Sequence, residues 1–177
     1  QARMQLEYLK LVTDCREVFI LGRNKQKISN YIEVMKYHGF NINIVSDSKE
    51  LCKNANLIVT ATNANESLIF KDDIKEGTHI TAMGSDTPDK KELDPRILNI
   101  ADSIVVDSIP QCLERGETKK ALDRNLIKKE DLIEIGSIID SGKKLRKNNN
   151  EITVADLTGV AVQDIMITNA VYEQLIK

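Results

Sequence analysis

The chain contains no tryptophan, only three prolines and three cysteines, and aromatic residues make up just 4% of its 177 residues. The cysteines, Cys15, Cys52 and Cys112, are far apart and form neither a CxxC pair nor a metal-ligand spacing. We therefore expect reduced thiols in a cytoplasmic protein, with no disulfide framework and no metal site. A catalytic cysteine would need His38 or His79 as a partner, and a buried structural thiol is the commoner case.

An excess of charge of one sign and long apolar runs are also missing. The net charge is −2, with acidic and basic residues mixed along the chain, so no basic stripe is available for a phosphate backbone and nucleic acid is not an expected partner. Apolar runs are only a few residues long, whereas a membrane-spanning helix needs roughly 20, so no membrane association is expected. The 41% apolar residues are sufficient for the core of one domain.

Helix-type and strand-type patterns alternate along the chain. The spacing of apolar residues predicts helices over 2–12, over 25–39 ending at Gly39, over 110–124 and in the closing segment, with Ser48 as the N-cap of a further short helix. Short β-branched runs predict strands at 18–21, 40–44, 57–59, after Thr78 and around 104–106, and a polar loop begins at Gly142. Because parallel neighbours need crossover connections, we predict a doubly wound α/β domain with a mostly parallel sheet.

Ligands of doubly wound sheets bind beyond the carboxyl ends of the strands, so the residues that follow each strand are the candidates for a site. The first predicted strand is followed by Arg23 and Asn24, with no acidic residue to accept a hydrogen bond from a ribose 2′-hydroxyl. In a dinucleotide-binding fold, Arg23 would favour a 2′-phosphate and therefore NADP over NAD. The alternative is an ordinary solvated turn.

Small and hydroxyl-bearing residues end the strand in "NLIVTAT", namely Thr60, Ala61 and Thr62. Small side chains let a flat ligand lie against the backbone, and hydroxyl groups add hydrogen bonds without charge. The same residues are also ordinary at the end of a strand, so this pattern alone does not decide between a binding site and a plain strand end.

The segment "AMGSDTPDKKELD" provides the clearest candidate chemistry. Gly84 permits a tight turn, which would present Asp86 at the mouth of a site, where a carboxylate can accept a proton or bind an ammonium group. Lys90 could add a positive charge at the same mouth. The alternative is a capped turn or helix start made by Asp86, Thr87 and Pro88.

In the closing "ADLTGVAVQD", Asp156 and Thr158 precede an apolar helical run. The free N–H groups of a helix N-terminus can bind an anion there. Equally, Thr158 or Gly159 could only cap the helix.

Taken together, "QARMQLEYL", "VTATNANE", "THITAMGSDTPDKKELD", "VVDS…ERGE" and "ADLTGVAVQD" resemble the ornithine cyclodeaminase/mu-crystallin family over most of the chain. The resemblance implies a nicotinamide-dependent enzyme that oxidises or reduces a C–N bond of an amino acid or cyclic imine. It implies Asp86 as the catalytic carboxylate. The residues that it places around the cofactor are Gln1 and Ala2 at the pyrophosphate, Thr60 to Thr62, Met83, Gly84, Lys90 and Thr158.

The same resemblance implies parts that have no counterpart among these residues: the glycine-rich turn, the first and central strand of the order 3-2-1-4-5-6, and the arginine and lysine that hold the substrate. We therefore expect residues 1–177 to be a partial NAD(P)-binding domain, inactive alone. The closing segment 151–177 is expected to pack towards a substrate domain outside this chain, through which a homodimer forms. The alternative is a non-catalytic, NAD(P)H-binding protein like mu-crystallin.

Overall fold

Two parallel β-sheets form the centre of the molecule, which is described for residues 1–176 by a computed structural model. The smaller sheet pairs β1 (Glu17–Ile20) with β2 (Asn41–Ile44). The larger sheet has the strand order β3-β4-β7-β5-β6. Its strands are β3 (Leu57–Thr60), β4 (His79–Ala82), β5 (Ser103–Val106), β6 (Leu132–Glu134) and β7 (Thr153–Asp156).

Residues 1–176 also form eight α-helices, of which the first precedes β1 and the others connect or follow the strands. They are α1 (Ala2–Leu9), α2 (Lys25–Tyr37), α3 (Ser48–Asn54), α4 (Arg96–Ile100), α5 (Ile109–Cys112), α6 (Gly116–Leu122), α7 (Ile135–Ser141) and α8 (Ala161–Leu175). Every strand pair is parallel, which confirms the predicted α/β architecture. Among residues 1–176, none of the helices combines the length and the apolar character required to cross a bilayer.

The strand order agrees with the predicted order in one half and differs in the other. The pair β2-β1 corresponds to strands 3-2 of the predicted order, and the pair β3-β4 corresponds to strands 4-5. Within residues 1–176, no strand pairs with both β1 and β3, as strand 1 of that order would. In the other half, β7 lies between β4 and β5, although it is last in sequence. A central strand needs buried side chains, and Val154 and Asp156 of β7 are almost completely buried.

The hydrophobic core is divided between the two sheets. The main cluster surrounds the larger sheet and contains Ile80, Leu93, Ile97, Val106 and Val154 among others. The second cluster, Leu6, Met35 and Phe40, packs α1 and α2 against the smaller sheet. The larger sheet therefore has the more extensive core beneath its strand ends.

Two helix ends differ from the predictions. Helix α1 ends at Leu9 instead of residue 12, and Leu11 and Val12 are each 79% exposed, because no part of the core covers them. Asp47, not Ser48, is the N-cap of α3: its backbone is extended and its side chain accepts a hydrogen bond from the Glu50 N–H at 2.8 Å. Asp and Ser are both favourable N-cap residues, so the sequence alone did not distinguish Asp47 from Ser48.

The stretch predicted as one helix over 110–124 is two helices, α5 and α6. The break covers residues 113–115, and α6 opens at Gly116, whose φ of +88° is strained for any residue with a Cβ. The following strand β6 and helix α7 were not predicted, because "DLIEIGSIID" changes from strand to helix with no turn residue between them.

We expect Gly116→Ala to lower the free energy of unfolding by about 3 kcal/mol, since it combines a positive φ with overpacking. A Cβ at this position would lie 2.6 Å from Oδ2 of Asp156 and 2.8 Å from Cγ2 of Thr158. The measurement is urea denaturation of the full-length protein.

Gly136→Ala is the matched control, because Gly136 lies within α7 and nothing approaches its added Cβ within 4 Å. The control should be neutral or stabilising by about 0.5–1 kcal/mol. Equal stability of the two variants would contradict the role assigned to Gly116.

Candidate functional site

The carboxyl ends of four parallel strands are aligned in one row. Thr60 of β3 pairs with Ala82 of β4, Ala82 with Asp156 of β7, and Asp156 with Val106 of β5. We call this row, together with the residues that directly follow it, the carboxyl edge. It brings together the candidate residues Thr60, Ala61, Thr62, Met83, Gly84, Asp86, Lys90 and Thr158.

At the end of β3, the hydroxyl of Thr60 is buried and its Oγ1 has no hydrogen-bond partner within residues 1–176. Ala61 follows, and Oγ1 of Thr62 accepts a hydrogen bond from the Ala64 N–H at 3.2 Å. A buried hydroxyl without a partner is unusual, and a bound ligand can supply the missing hydrogen bond. Thr60 therefore fits a position in a cofactor site.

At the end of β4, Gly84 lies where the loops after β3 and β4 meet. A Cβ at this position would lie 2.3 Å from the carbonyl oxygen of Thr62 and 2.4 Å from the carboxyl carbon of Glu92. The preceding Met83 is half-buried and donates its N–H to the Thr60 carbonyl at 2.9 Å. Gly84 is therefore required by the close contact between two loops, and its φ is not positive, so the turn itself does not demand a glycine.

Asp86 lies at the surface of the carboxyl edge, with 54% of its side chain exposed. Nζ of Lys90 donates a hydrogen bond to its Oδ1 at 2.6 Å, and this bond lowers the pKa of Asp86. The segment between them is a turn, in which the Lys90 N–H bonds the Thr87 carbonyl at 3.3 Å, and no helix starts there. The predicted exposure of Asp86 beside Lys90 is thus confirmed. The turn that was the alternative interpretation of this segment is also present.

After β7, the structure contradicts both predicted caps. Helix α8 begins at Ala161 with Val160 as its N-cap, so neither Thr158 nor Gly159 caps it. The buried Thr158 hydroxyl accepts from Nε2 of Gln111 at 2.6 Å and donates to Oδ1 of Asp107 at 3.1 Å. Its hydroxyl is thus already occupied within the protein.

Asp156 is not at the helix N-terminus either, because it is the buried last residue of β7. It accepts hydrogen bonds from the N–H and the hydroxyl of Thr118 at 2.7 and 2.6 Å. Burial raises the pKa of Asp156 to about 6. Its role is to join β7 to α6.

The four remaining candidates lie around α1 and α2. Gln1 and Ala2 form the start of α1, and Arg23 is exposed in the loop after β1. Oδ1 of Asn24 accepts the Lys27 N–H at 2.9 Å, which makes Asn24 the N-cap of α2. Within the described chain, no hydrogen bond joins these four residues to the carboxyl edge of the larger sheet.

The sequence profile of the ornithine cyclodeaminase/mu-crystallin family matches residues 1–177. The chain belongs to this family. An uncharacterised cyclodeaminase from Sinorhizobium fredii is 36% identical over 176 residues, which cover 98% of this chain and 53% of that protein.

Two solved structures share the fold. An archaeal alanine dehydrogenase dimer with bound NAD superposes with a TM-score of 0.90 at 33% identity, covering 99% of this chain and 54% of that one. The Δ1-pyrroline-2-carboxylate reductase of Thermococcus litoralis, in complex with NADH and L-proline, gives 0.91 at 27% identity, covering 99% and 55%. The fold is therefore Rossmann-like, and the chain spans about half the length of these relatives.

In this member of the family, two buried carboxylates were not predicted from the sequence. Glu92 and Glu117 are both 0% exposed. One oxygen of Glu92 accepts from the Thr62 N–H at 2.6 Å, and the other accepts from the Gly84 N–H at 2.9 Å. The only sequence signal for these two residues is that they lie in "KKELD" and "ERGE", which belong to the segments that resemble the family. Their charged neighbours make both residues look exposed.

The second carboxylate belongs to Glu117 of α6. It accepts hydrogen bonds from the Ser85 hydroxyl, from the Glu92 N–H at 2.6 Å and from the Leu93 N–H at 3.1 Å. Burial raises the pKa of Glu117 to about 7 in spite of these bonds.

Arg115 is a further residue near the site that was not predicted from the sequence. Its Nε is buried and has no hydrogen-bond partner within residues 1–176. Beside the dominant hydrogen bond from Lys90, its positive charge also lowers the pKa of Asp86. Arg115 therefore adds positive potential next to the candidate carboxylate.

A cavity of about 480 Å³ lies on the face of β4, β5 and β7, where Gln5 of α1 and Ile138 of α7 line it. None of the candidate residues contributes to this cavity.

We predict that Glu117 makes the free energy of unfolding fall as the pH rises from about 4.5 to 7. In this window the unfolded chain loses the Glu117 proton while the folded protein keeps it, because the folded pKa is about 7 against an ordinary 4.5. By proton linkage the full effect is about 3 kcal/mol. Urea denaturation midpoints of the full-length protein between pH 5 and 8 measure it.

Glu117→Gln removes this titration and should reduce the dependence on pH to the contribution that buried Asp156 makes below about pH 6, whatever the effect on absolute stability. Glu114→Gln, which changes an exposed neighbour, should keep the wild-type slope. Parallel curves for the wild type and Glu117→Gln would show that Glu117 does not titrate in this range.

Proposed function

We propose that the chain is the nicotinamide-cofactor-binding portion of an enzyme that acts on the C–N bond of an amino acid or cyclic imine. The reaction is an oxidative deamination with cyclisation, as a lyase, or the reduction of a ketimine, as an oxidoreductase. The observation that carries this proposal is the carboxyl edge, where the unpartnered Thr60 hydroxyl, the crowded Gly84 and the exposed Asp86 follow adjacent strands. Family membership supports it, as do relatives with bound NAD and NADH.

Asp86 is the proposed catalytic residue. A nicotinamide cofactor would supply or take up the hydride. The Lys90 hydrogen bond lowers the pKa of Asp86 and therefore keeps its carboxylate ionised at neutral pH. In that state Asp86 can accept a proton from the substrate or orient an attacking amine or water, but it cannot donate a proton.

The other predicted site residues are proposed to contact the cofactor. They are Gln1, Ala2, Arg23, Asn24, Thr60, Ala61, Thr62, Met83, Gly84, Lys90 and Thr158. Thr60 is the best supported of them, because a ligand would satisfy its buried hydroxyl. For Thr158 the backbone is the more suitable contact, since Gln111 and Asp107 already engage its hydroxyl.

For the cofactor, we propose a preference for NADP over NAD. Arg23 is exposed after β1, and residues 21–24 contain no carboxylate that could bind a 2′-hydroxyl. The two structural relatives contain NAD and NADH, so the preference rests on Arg23 alone.

We also propose that segment 151–177 packs towards a substrate domain outside this chain, without which residues 1–177 are inactive. The support is the exposure of apolar side chains along α8: Val162, Ile165, Met166, Ile167, Val171, Tyr172 and Leu175. Lys177 lies outside the described residues. A cytoplasmic homodimer with a small-molecule substrate, and with neither nucleic acid nor membrane as a partner, completes the proposal.

In the full-length protein, we expect Asp86→Asn to lower kcat by at least about 100-fold, the usual contribution of general acid–base catalysis. The dissociation constant for the reduced cofactor should stay within about threefold of the wild-type value. A threefold change is about 0.7 kcal/mol of binding free energy, which is less than the loss of a contact would cause. Turnover is measured on a panel of ornithine, alanine and cyclic imines, and binding by cofactor fluorescence.

Asp89→Asn is the control, because Asp89 is an exposed carboxylate in the same turn. Near-normal turnover of Asp86→Asn with cofactor bound would rule out the catalytic role. Tight cofactor binding by the wild type without turnover of any substrate in the panel would favour the non-catalytic, mu-crystallin-like alternative.

If Arg23 binds a 2′-phosphate, Arg23→Gln should weaken NADPH binding about tenfold, the usual size of a charge-assisted contact, and change NADH binding little. Lys36→Gln removes an exposed charge from the far end of α2 and is the control. Tighter binding of NADH than NADPH by the wild type would contradict the preference.

A further inference from the structure

Two buried acidic residues that the proposed reaction does not use lie directly beneath the carboxyl edge. Glu92 follows the Asp86 turn in sequence, and Glu117 belongs to α6. Each is completely buried, and each uses its carboxylate to hold backbone or hydroxyl groups of the candidate site. Burying two acids is costly, so their contacts require an explanation beyond packing.

The loops after β3 and β4 bond each other farther along, where the Lys91 N–H donates to the Ala64 carbonyl at 2.8 Å, and Glu92 connects them close to the strand ends. The backbone N–H groups of Thr62 and Gly84 lie beyond the last ladder pair of β3 and β4, and both point to the same carboxylate. A carboxylate is suited to this position because each of its two oxygens can accept one N–H. A glutamine could satisfy only one of them, since its NH₂ group would face the other N–H.

The contact is also tight in space. The added Cβ at position 84 would meet both the Thr62 carbonyl and the Glu92 carboxyl group within 2.5 Å. Next to the strand ends, the distance between the two loops is therefore set by Glu92 on one side and by the absence of a side chain at Gly84 on the other.

Glu117 extends this arrangement to Asp86. Its carboxylate holds the Glu92 N–H at 2.6 Å and also accepts the hydroxyl of Ser85, the residue directly before Asp86. Because Ser85 is buried and Asp86 is exposed, this bond fixes the point from which the Asp86 side chain leaves the protein.

We propose that Glu92 is a positioning residue that sets the spacing of the two cofactor-facing loops, and that Glu117 positions Asp86 through Ser85. This inference rests on the proposed function, because it assumes that a nicotinamide cofactor lies at the carboxyl edge. The two residues have separable effects: Glu92 acts on cofactor affinity, and Glu117 acts on turnover.

The first test is Glu92→Gln in the full-length protein, with the dissociation constants for NADH and NADPH measured by cofactor fluorescence. For the more tightly bound of the two we expect an increase of about tenfold, since one hydrogen bond to a charged group is lost and one N–H is left unpaired.

Asp94→Asn is the matched control. Asp94 is also a buried acid, two residues away, but its carboxylate bonds Arg96 and, far along the β3–β4 connection, the Lys71 N–H, and it bonds neither Thr62 nor Gly84. Asp94→Asn should change the cofactor dissociation constant by less than about twofold, even if it lowers the melting temperature as much as Glu92→Gln does. An equal loss of affinity in both variants would overturn the proposal, because it would reflect general destabilisation.

Ser85→Ala tests the second part and leaves both buried acids in place, so it remains informative even if Glu92→Gln does not fold. It should lower kcat about tenfold, because a misplaced catalytic group costs at least that much, while the cofactor dissociation constant stays within about twofold. Wild-type kcat in Ser85→Ala, or an equal change in kcat and cofactor affinity, overturns the role of Glu117.

The wild type separates the two levels of inference. If it binds neither NADH nor NADPH, both the proposed function and the positioning roles are wrong. If it binds one of them and Glu92→Gln binds it equally well, only the role of Glu92 is wrong.

Discussion

The in-register parallel pairing of β3, β4, β7 and β5 is the constraint on which the rest of the site depends. It places Thr60, Ala82, Asp156 and Val106 in one row, so the segments that follow them start at the same edge. Parallel strands end together in this way whatever their order in sequence. Residues almost 100 positions apart, Thr60 and Asp156, thereby become parts of a single surface.

That row creates a problem of hydrogen bonding, which acidic side chains solve. Beyond the last ladder pair, several backbone N–H groups have no backbone partner among the described residues. Glu92 accepts two of them, from Thr62 and Gly84, and Asp107 accepts the N–H of Gly159 at 2.7 Å. The acids thus replace the missing ladder bonds and join neighbouring strand ends.

Sequence alone was informative wherever the pattern is local. Short β-branched runs located the strands around Phe19, Ile58 and Ile80, and the glycine turn correctly predicted an exposed Asp86 beside Lys90. Properties that depend on distant contacts could not be read in this way. The insertion of β7 between β4 and β5 is one example, because strand order is decided by packing across the whole domain.

The buried carboxylates are the second kind of property that sequence could not provide. Glu92 follows Asp89, Lys90 and Lys91, a run that is typical of a solvated surface. Its burial becomes visible only when the loops after β3 and β4 are brought together in space. The same limit applies to Thr158, whose hydroxyl turns inward to Asp107 instead of capping a helix.

The contacts of Glu92 have a further consequence for motion. Loops at ligand sites commonly open with little cost, because their backbone bonds face solvent. Here the N–H groups of Thr62 and Gly84 are sealed against a carboxylate that is itself 0% exposed. Their opening requires the removal of Glu92 from the core, so these loops share the rigidity of the sheet. A ligand at this edge would meet a surface that is already ordered, and the entropy cost of binding would be correspondingly small.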